Sequence, residues 1–585
     1  MGEHLLKERR SLALLALGLL GVVLALHLPL LQQGGLLGAP QSDVIRGVWG
    51  LDHQARGLPL PIWTARVGFP EGVKLLILPW VSSQLAAPLV LLLGAPRAYD
   101  LWMLGLLWAA GLSSGLLARQ LTGQPWSGWL VGCIVISSPM MLLAITDGTP
   151  ENVAFWAVPA LLLALHRALS QGSLRWGAVA GLLGFICAAD SPYHAVFAAG
   201  LALLVLPALR RDPRAGLRAL GVAGAVALLG VGALALLYVG LPVGTASAEN
   251  TATNAINLQS WLHWEQGRLT QPWDWTFTPT FIPAAVLVAC ALAALLSPLR
   301  AAPWLLAGAA CLLLGLGPST ENPVVLGRLL GHWAVGPAHG WAAIQAAHPM
   351  PVIRFLRRFL VPATLCLGLA AELGLARRRP TRWLGPVLGL GLVWVAAAKT
   401  GYPSHLPLTH PPVPAAARFV ADQPGPGAIL LLPRVRAATR LHQRDELPVF
   451  ADLGAEIQSA AELWLQVQAE RPSVNSPNGL LTMEIRRPRT AAETTLLRDL
   501  DDLTLPQTVG RPIPPSATVD ATRTHEAVQA MVTAGLRYVL VDEAVYGEEG
   551  LALLRSFFFD AVLAEERHFD DGTGVTVLVL APAAR

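Results

Sequence analysis

The chain has 585 residues, of which 54% are hydrophobic and only 14% are charged, and its mean hydropathy is +0.51. Soluble domains carry about 25% charged residues, so this composition excludes an ordinary soluble protein and predicts a polytopic α-helical membrane protein. The formal net charge of +4 comes largely from short arginine-rich loops, which indicate orientation in a membrane rather than nucleic-acid binding.

Eleven apolar segments approach the roughly 20 residues that a transmembrane helix needs. The first begins after the basic stretch "MGEHLLKERR", and its length favours an uncleaved span, with the N-terminus in the cytoplasm, over a signal peptide. The predicted spans are 11–31, 99–118, 127–146, 151–168, 176–190, 193–209, 217–240, 280–298, 302–318, 355–376 and 382–398.

A twelfth apolar stretch, 73–94, contains Lys74 and is interrupted by Pro79 and Pro88. If this stretch does not cross the membrane, the arginine clusters fall in alternate loops on the cytoplasmic side, as the positive-inside rule requires. If it crosses, every later loop is inverted. We therefore predict a juxtamembrane or re-entrant segment at the outer interface, and an extracytoplasmic location for residues 401–585.

The long first loop, 32–72, then lies on the outer face and contains Asp43, Asp52 and His53. Its stretch "DVIRGVWGLDHQARG" predicts an amphipathic helix with Asp43 at or near the N-terminus. A carboxylate at a membrane surface can act as a general base or bind a metal ion, but it can equally be an N-cap or a solvated acid.

Further ionisable residues fall at predicted span boundaries on the same face. Asp147 and Glu151 belong to "TDGTPEN", which is also a good turn and helix start. Asp190 and His194 belong to "ADSPYH", where a capping role competes with a functional one. His263 lies in the tryptophan-rich loop "WLHWEQGRLTQPWDW", whose indoles suit either interface anchoring or sugar stacking.

An arginine cluster in "HPMPVIRFLRRFL" contradicts the orientation rule, because it lies at the outer end of a predicted span. Arg354, Arg357 and Arg358 are spaced i, i+3 and i+4, so they share one helix face. Such a cluster calls for an anionic partner, and a phosphate or pyrophosphate is the simplest. Snorkelling of the three side chains to ordinary lipid headgroups is the alternative.

The C-terminal part has the composition of a soluble domain. It contains short apolar runs that predict strands and amphipathic runs that predict helices, in an α/β arrangement. The predicted strands are 428–432, 537–542 and 575–581, and the predicted helices are 526–535 and 548–558. We therefore divide the chain into a membrane domain, 1–400, and an extracytoplasmic α/β domain, 401–585, with an accessory or acceptor-contacting role.

The first 400 residues resemble the GT-C-fold glycosyltransferases, membrane enzymes that include protein mannosyltransferases and aminoarabinose transferases. The resemblance rests on the first span and its long external loop with Asp43, on "LPLPIW" and the proline-broken segment, on "LLARQLTGQPWSGWL", and on "RFLRRF" at an external span start. It implies a polyprenyl-phosphate-linked sugar as donor and Asp43 as the catalytic or acceptor-activating carboxylate. Many members have a paired Asp-Glu, whereas Val44 follows Asp43 here, so Asp52, Asp147 or Glu151 would supply a second carboxylate.

The resulting hypothesis is a bacterial inner-membrane enzyme that transfers a sugar to an extracytoplasmic acceptor of the cell envelope. Asp43 would be the general base, assisted by His53 or Asp147, and Arg354, Arg357 and Arg358 would stabilise the leaving phosphate. The pattern establishes no cofactor and leaves a divalent metal open. Two alternatives remain: a non-catalytic scaffold in envelope glycan assembly, which the missing acid pair favours, and a transporter of lipid-linked or anionic solutes.

Overall fold

The computed structural model describes most of the membrane-domain helices and the sheet of the C-terminal part. The described residues are 2–39, 42–57, 63–75, 78–210, 212–239, 282, 284–316, 356–376, 384–400, 408–409, 414–432, 463–474, 484–486, 491–492, 495–497, 499–500, 520–571 and 574–581.

The chain divides into two compact units. The first comprises Met1–Gly47, Leu78–Val239 and Val243–Thr409, and the second comprises Val48–Ile77, Gly240–Pro242 and His410–Arg585. The predicted domains, 1–400 and 401–585, differ from these units in one respect: much of the first loop, Val48–Ile77, belongs to the second unit. The membrane location of either unit stays a prediction.

The regular elements described in the first unit are helices. The helix inside the first loop has residues in both units. The helices are α1 (Gly2–Leu31), α2 (Val44–Arg56), α3 (Trp80–Leu93), α4 (Ala95–Thr122), α5 (Trp129–Ile136), α6 (Pro139–Thr146), α7 (Pro150–Val153), α8 (Ala157–Gln171), α9 (Leu174–Asp190), α10 (Pro192–Ala202), α11 (Pro213–Tyr238), α12 (Ala284–Leu296), α13 (Pro298–Leu316), α14 (Leu360–Leu375) and α15 (Leu384–Thr400). Short 3-10 helices cover Ala154–Trp156, Leu203–Arg210 and Leu356–Phe359.

Each of the eleven predicted spans overlaps a helix, but fewer helices are long enough to cross a membrane. In the described part of the chain, seven helices have the required length and apolar composition, or up to eight if the bent pair α5 and α6 forms one span. The prediction of eleven spans is therefore not confirmed, although a multi-pass helical architecture is.

Local sequence explains where these helices break. The bend of 41° between α5 and α6 falls at Ser137-Ser138-Pro139, because the proline cannot donate to the preceding turn. The Ser138 hydroxyl oxygen then accepts the Met141 N–H and caps α6. Helix α4 ends at Gly123, whose φ of +68° is the left-handed conformation that glycine adopts without strain.

The amphipathic helix predicted from "DVIRGVWGLDHQARG" is α2, which begins at Val44, immediately after Asp43. The proline-broken segment 73–94 begins as a short strand and continues as α3, which has 14 residues and is too short to span a bilayer unaided. Its membrane depth stays a prediction.

The second unit contains two small sheets. Strands β1 (Trp63–Thr64), β2 (Val73–Leu75) and β4 (Glu484–Arg486) form an antiparallel sheet in the order β1-β2-β4. Strands β3 (Ala428–Leu432), β5 (Leu536–Asp542), β6 (Leu563–Phe569) and β7 (Val575–Leu580) form a mixed sheet in the order β3-β5-β7-β6. Only the β3-β5 pair is parallel.

Helices α16 (Ala415–Asp422), α17 (Ala521–Ala534) and α18 (Glu543–Leu554) accompany these sheets, together with a helical stretch at 463–469 and a π-helix over Arg555–Phe559. Apolar residues from α17, α18, β5 and β7 form one buried cluster, which includes Val532, Val539 and Leu578. The three predicted strands and two predicted helices all lie on observed elements. Strand β6 was not predicted, because its residues "LAEERHF" carry three charges and alternate poorly in hydropathy.

Candidate functional site

The loop that follows α1 and the turn that follows α6 meet at one end of the first unit. The backbone N–H of Asp43 donates to the carbonyl oxygen of Asp147 at 2.9 Å. Gly148 has a φ of +63°, and a Cβ atom added there would lie 2.4 Å from the backbone nitrogen of Val44. A residue with a side chain could not occupy that position without moving the loop, so this close approach makes Asp43 and Asp147 neighbours.

Asp43 is the accessible acid of this region, since 45% of its side-chain surface is exposed. Its Oδ1 accepts a hydrogen bond from Nη1 of Arg46 at 2.7 Å, one turn along α2. The carboxylate is therefore oriented by an ion pair and still open to an incoming group.

Glu151, in the short helix α7, forms a second ion pair. Its Oε1 lies 3.1 Å from Nη2 of Arg358, and the two side chains are only 20% and 13% exposed. The Arg358 guanidinium also lies 4.6 Å from the ring centroid of Tyr193, in a cation-π arrangement. Two contacts from different helices thus fix the orientation of this guanidinium.

Asp147 lies between α6 and α7, outside the membrane-spanning segments. Burial raises the pKa of its carboxyl from 3.8 to about 7, because the charged form loses hydration. The nearby guanidinium of Arg357 lowers this pKa, and the neighbouring carboxylate of Asp43 raises it. Asp147 is therefore divided between its protonated and ionised forms near neutral pH.

His194 lies at the start of α10, next to Tyr193, and its side chain is buried. Its ring meets Phe155 edge-on at 5.8 Å between centroids, and the Arg358 guanidinium is near enough to interact with it electrostatically. Its Nδ1 has no hydrogen-bond partner within the described ranges. His194 is thus a buried ring beside the Arg358 guanidinium.

We call this set of residues the ion cluster. It consists of three carboxylates, three guanidinium groups and two ring side chains from the first unit. Its members are Asp43, Arg46, Asp147, Glu151, Tyr193, His194, Arg357 and Arg358.

Asp190 does not join the ion cluster, although it too was predicted as a candidate. One of its carboxylate oxygens accepts the backbone N–H of Ser82 at 3.0 Å, and the other accepts the Ser82 hydroxyl at 2.5 Å. Ser82 is in the first turn of α3, so Asp190 caps that helix from the end of α9. Of the two roles considered for Asp190, the contacts with Ser82 are those of a helix cap.

Asp52 and His53 lie in the second unit. The buried carboxylate of Asp52 accepts from Arg56 Nε at 2.9 Å and from Arg66 Nη2 at 2.7 Å. The His53 ring is buried and stacks on Trp49 with a centroid distance of 5.0 Å. These contacts are those of a structural network.

Two predicted residues, Arg354 and His263, lie outside the described residues. Among the described residues, no group of three or more His, Cys, Asp or Glu side chains could hold a metal ion. The sequence left a divalent metal open, and it stays so.

Some residues of this region were missed by the sequence analysis. Arg46 lies three residues after Asp43 in "DVIRGVWG", and Tyr193 lies inside "ADSPYH", but neither was named as a candidate. Tyr99 is fully buried on α4, and its ring lies against Gly47. The adjacent acid, Asp100, binds the Leu37 N–H at 2.9 Å. An acid inside an apolar helix is a signal that could have led to this pair.

Comparisons with known proteins agree on the fold. No protein-family model matches the chain, and no curated protein matches it. A mutant of the arabinofuranosyltransferase AftD from Mycobacteria, solved by cryo-electron microscopy, superposes with a TM-score of 0.50 at 17% identity, over 99% of this chain. This match covers 42% of AftD, so the chain spans less than half the length of that protein. The chain has the GT-C fold expected from its sequence.

A second solved structure is the oligosaccharyltransferase of Archaeoglobus fulgidus in its apo form. Its TM-score is 0.41 at 10% identity, over 98% of this chain and 74% of that chain. At these identities a likeness concerns fold alone, so activity has to be argued from the residues of the site.

Proposed function

We propose that the chain is a membrane glycosyltransferase that uses a polyprenyl-phosphate-linked sugar and glycosylates an extracytoplasmic acceptor of the bacterial envelope. The observation that carries the proposal is the ion cluster, in which an exposed carboxylate lies among guanidinium groups able to receive a phosphate. The GT-C fold is consistent with a membrane glycosyltransferase. The donor, the acceptor and the location in the bacterial inner membrane are further parts of the proposal.

The chain path supports an outward-facing site. Asp43 follows the end of α1, Asp147 follows α6, and Glu151 and Tyr193 lie at the starts of α7 and α10. Arg10, by contrast, lies near the start of α1, and Arg119, which contacts Glu8, lies near the end of α4, so both are at the opposite end of α1 from Asp43. If the arginine-rich end is cytoplasmic, the ion cluster lies at the outer headgroup level.

Asp43 is the proposed general base. It would accept the proton of the acceptor hydroxyl as that oxygen attacks the anomeric carbon of the donor sugar. The bond from the anomeric carbon to the phosphate oxygen breaks, and its electron pair leaves with the phosphate. Attack opposite the leaving group inverts the anomeric configuration. Its exposure lets Asp43 reach an acceptor, and Arg46 holds it in place.

Arg357 and Arg358, joined by Arg354, are the proposed phosphate-binding residues. A polyprenyl phosphate leaves as a stable anion, so the site has to supply positive charge rather than a proton. A guanidinium fork matches the geometry of phosphate oxygens. Glu151 and Tyr193 keep the Arg358 fork oriented before the donor arrives.

Asp147 has a supporting electrostatic role in this mechanism. With all three carboxylates ionised, the cluster would balance its three described guanidinium charges and attract an anion poorly. The raised pKa of Asp147 keeps part of the population protonated near neutral pH, which leaves a net positive charge for the donor phosphate. We prefer Asp147 to His53 as the assisting residue, because the His53 ring is buried in a stack with Trp49.

The test is an envelope glycan profile, by mass spectrometry, of a strain that lacks the gene. The strain is complemented with the wild-type protein, with Asp43→Asn, or with Glu549→Gln, which changes an exposed acid of the second unit. We expect the wild type and Glu549→Gln to restore a sugar that Asp43→Asn does not restore, at matched expression.

Equal restoration by Asp43→Asn would overturn the catalytic role of Asp43 and favour the scaffold hypothesis. The mass difference between the profiles identifies the transferred sugar.

A further inference from the structure

A cavity of about 720 Å³ lies in the first unit, at the end opposite the ion cluster. It opens between the start of α1, the end of α4 and the end of α8, and its wall includes Arg10, Arg119 and Arg167. Because three apolar helices begin or end here, the cavity lies at the level of membrane headgroups. The proposed function does not use it.

Arg119 is the residue that indicates a ligand. Its side chain is only 11% exposed, and its Nη2 is 3.9 Å from Glu8 Oε1 and 3.5 Å from the Glu8 carbonyl oxygen, both long contacts. Its Nη1 is buried and has no hydrogen-bond partner in the part of the chain that the structure describes. A buried guanidinium N–H left without an acceptor is costly, so this group is suited to an anionic oxygen.

Arg167 is held rigidly at the same cavity. Its Nε donates to Gln120 Oε1 at 3.1 Å, and its guanidinium stacks on Trp176 with 4.7 Å to the ring centroid. A guanidinium already fixed by two contacts loses little conformational freedom when it binds a ligand.

The charge balance of the cavity is positive. Three arginines face one acid, Glu8, and the C-terminal ends of α4 and α8 each contribute about half a negative elementary charge. About one positive charge remains, which matches a singly charged phosphodiester.

The rest of the wall is apolar and includes Leu12, Leu14 and Leu116. Leu14 is 50% exposed on the surface of α1, so the apolar wall continues onto the outside of the helix bundle. A ligand with an anionic head and an acyl chain can satisfy both parts of the cavity at once.

We propose that this cavity is a binding site for a phosphate group, supplied by the headgroup of an anionic phospholipid. Arg119 and Arg10 bind the phosphate oxygens, Arg167 adds fixed positive charge, and the leucine wall receives the first part of an acyl chain. The site is separate from the ion cluster and does not depend on the proposed transferase activity.

The experiment measures binding of phosphatidylglycerol with a fluorescently labelled acyl chain to the purified full-length protein in uncharged detergent. Competitors are unlabelled phosphatidylglycerol, phosphatidylcholine and inorganic phosphate. The variants are Arg119→Gln and Arg10→Gln, with Arg214→Gln as control, because Arg214 is exposed at the start of α11 outside the cavity.

We expect Arg119→Gln to weaken binding about tenfold, since it removes a charged hydrogen-bond donor, and Arg10→Gln to weaken it by a smaller factor. Arg214→Gln should bind like the wild type, and phosphatidylcholine should compete poorly. Arg10 is exposed at the chain start, so its variant decides the matter if Arg119→Gln does not fold.

Wild-type affinity in both cavity variants, or equal competition by phosphatidylcholine, would overturn the proposal. Competition by inorganic phosphate at millimolar concentration would retain the phosphate site but identify a soluble phosphate compound as its ligand.

Discussion

Two acidic positions of the first unit, Asp43 and Asp190, look alike in the sequence and differ in the structure. Both carboxylates lie beside apolar helices on the face predicted to be external. Asp190 is fully buried and uses both oxygens to bind Ser82, whereas Asp43 is 45% exposed and pairs with Arg46. Proximity to a span end therefore does not distinguish a candidate catalytic acid, such as Asp43, from a helix cap, such as Asp190; the partners of the carboxylate oxygens do.

The comparison is tested most severely by Asp43→Asn. Loss of a general base costs about 100- to 10,000-fold in rate, so we expect glycosyl transfer to fall by that factor. The thermal unfolding temperature should stay close to that of the wild type, because nearly half of the side-chain surface is exposed and Asn keeps the size of the side chain. Transfer by purified protein and unfolding in detergent measure the two effects, and a rate within threefold of the wild type would contradict the assignment.

Arg358→Lys sharpens the description of the ion cluster. Lysine keeps the charge but loses the planar fork that contacts Glu151 and is proposed to bind the donor phosphate, so we expect kcat/KM for the donor to fall about tenfold. Arg214→Lys, at an exposed position outside the cluster, is the matched control. Equal donor kinetics in the two variants would show that Arg358 acts only as a point charge.

Asp190→Ala should show the opposite behaviour from Asp43→Asn. It leaves the N–H and hydroxyl of Ser82 unsatisfied in a buried site, which we expect to cost about 3 kcal/mol in the free energy of unfolding. Ser82→Ala removes one of the two bonds and should cost less. Transfer per folded molecule should change little; a large loss of turnover without destabilisation would place Asp190 among the catalytic residues.

The last prediction concerns Asp147 and is a pH dependence of stability. Its folded-state pKa of about 7 lies above its ordinary value of 3.8, so the folded protein binds the proton more tightly than the unfolded chain. Wild-type stability should fall as the pH rises between about 4 and about 7, and Asp147→Asn should lack this component. Unfolding temperatures of both proteins across this range measure it; parallel curves would mean that Asp147 stays ionised.

Much of the fold follows from sequence periodicity. Each of the eleven apolar runs overlaps a helix, and β3, β5 and β7 are short, mostly buried runs rich in aliphatic residues. The number of spans could not be predicted as well, because hydropathy does not distinguish a membrane-crossing helix from a shorter buried one. Strand β2 was not predicted, because it has only three residues and its partner Glu484–Arg486 lies in a distant part of the chain.

The site was predicted in part, for a similar reason. Asp43, Asp147, Glu151 and the two arginines were named because ionisable groups are rare beside apolar helices. What the sequence could not supply was their pairing: Glu151 and Arg358 are 207 residues apart, and no local pattern joins them. Asp190 and His53 were named with these residues for the same reason, since the sequence does not show which groups their side chains contact.

The second unit joins segments that the ribosome makes at very different times. Trp49 donates from its indole to Gln466, 417 residues later in the chain, and β2 pairs with β4 across a similar interval. At about 5–20 residues per second, a ribosome needs roughly 20–80 s to make that interval. During this time the first loop has left the ribosome but lacks its partner strand. Strand β2 therefore lacks its partner β4 until the C-terminal part is made. A chain truncated before β4 would leave that strand edge permanently unpaired.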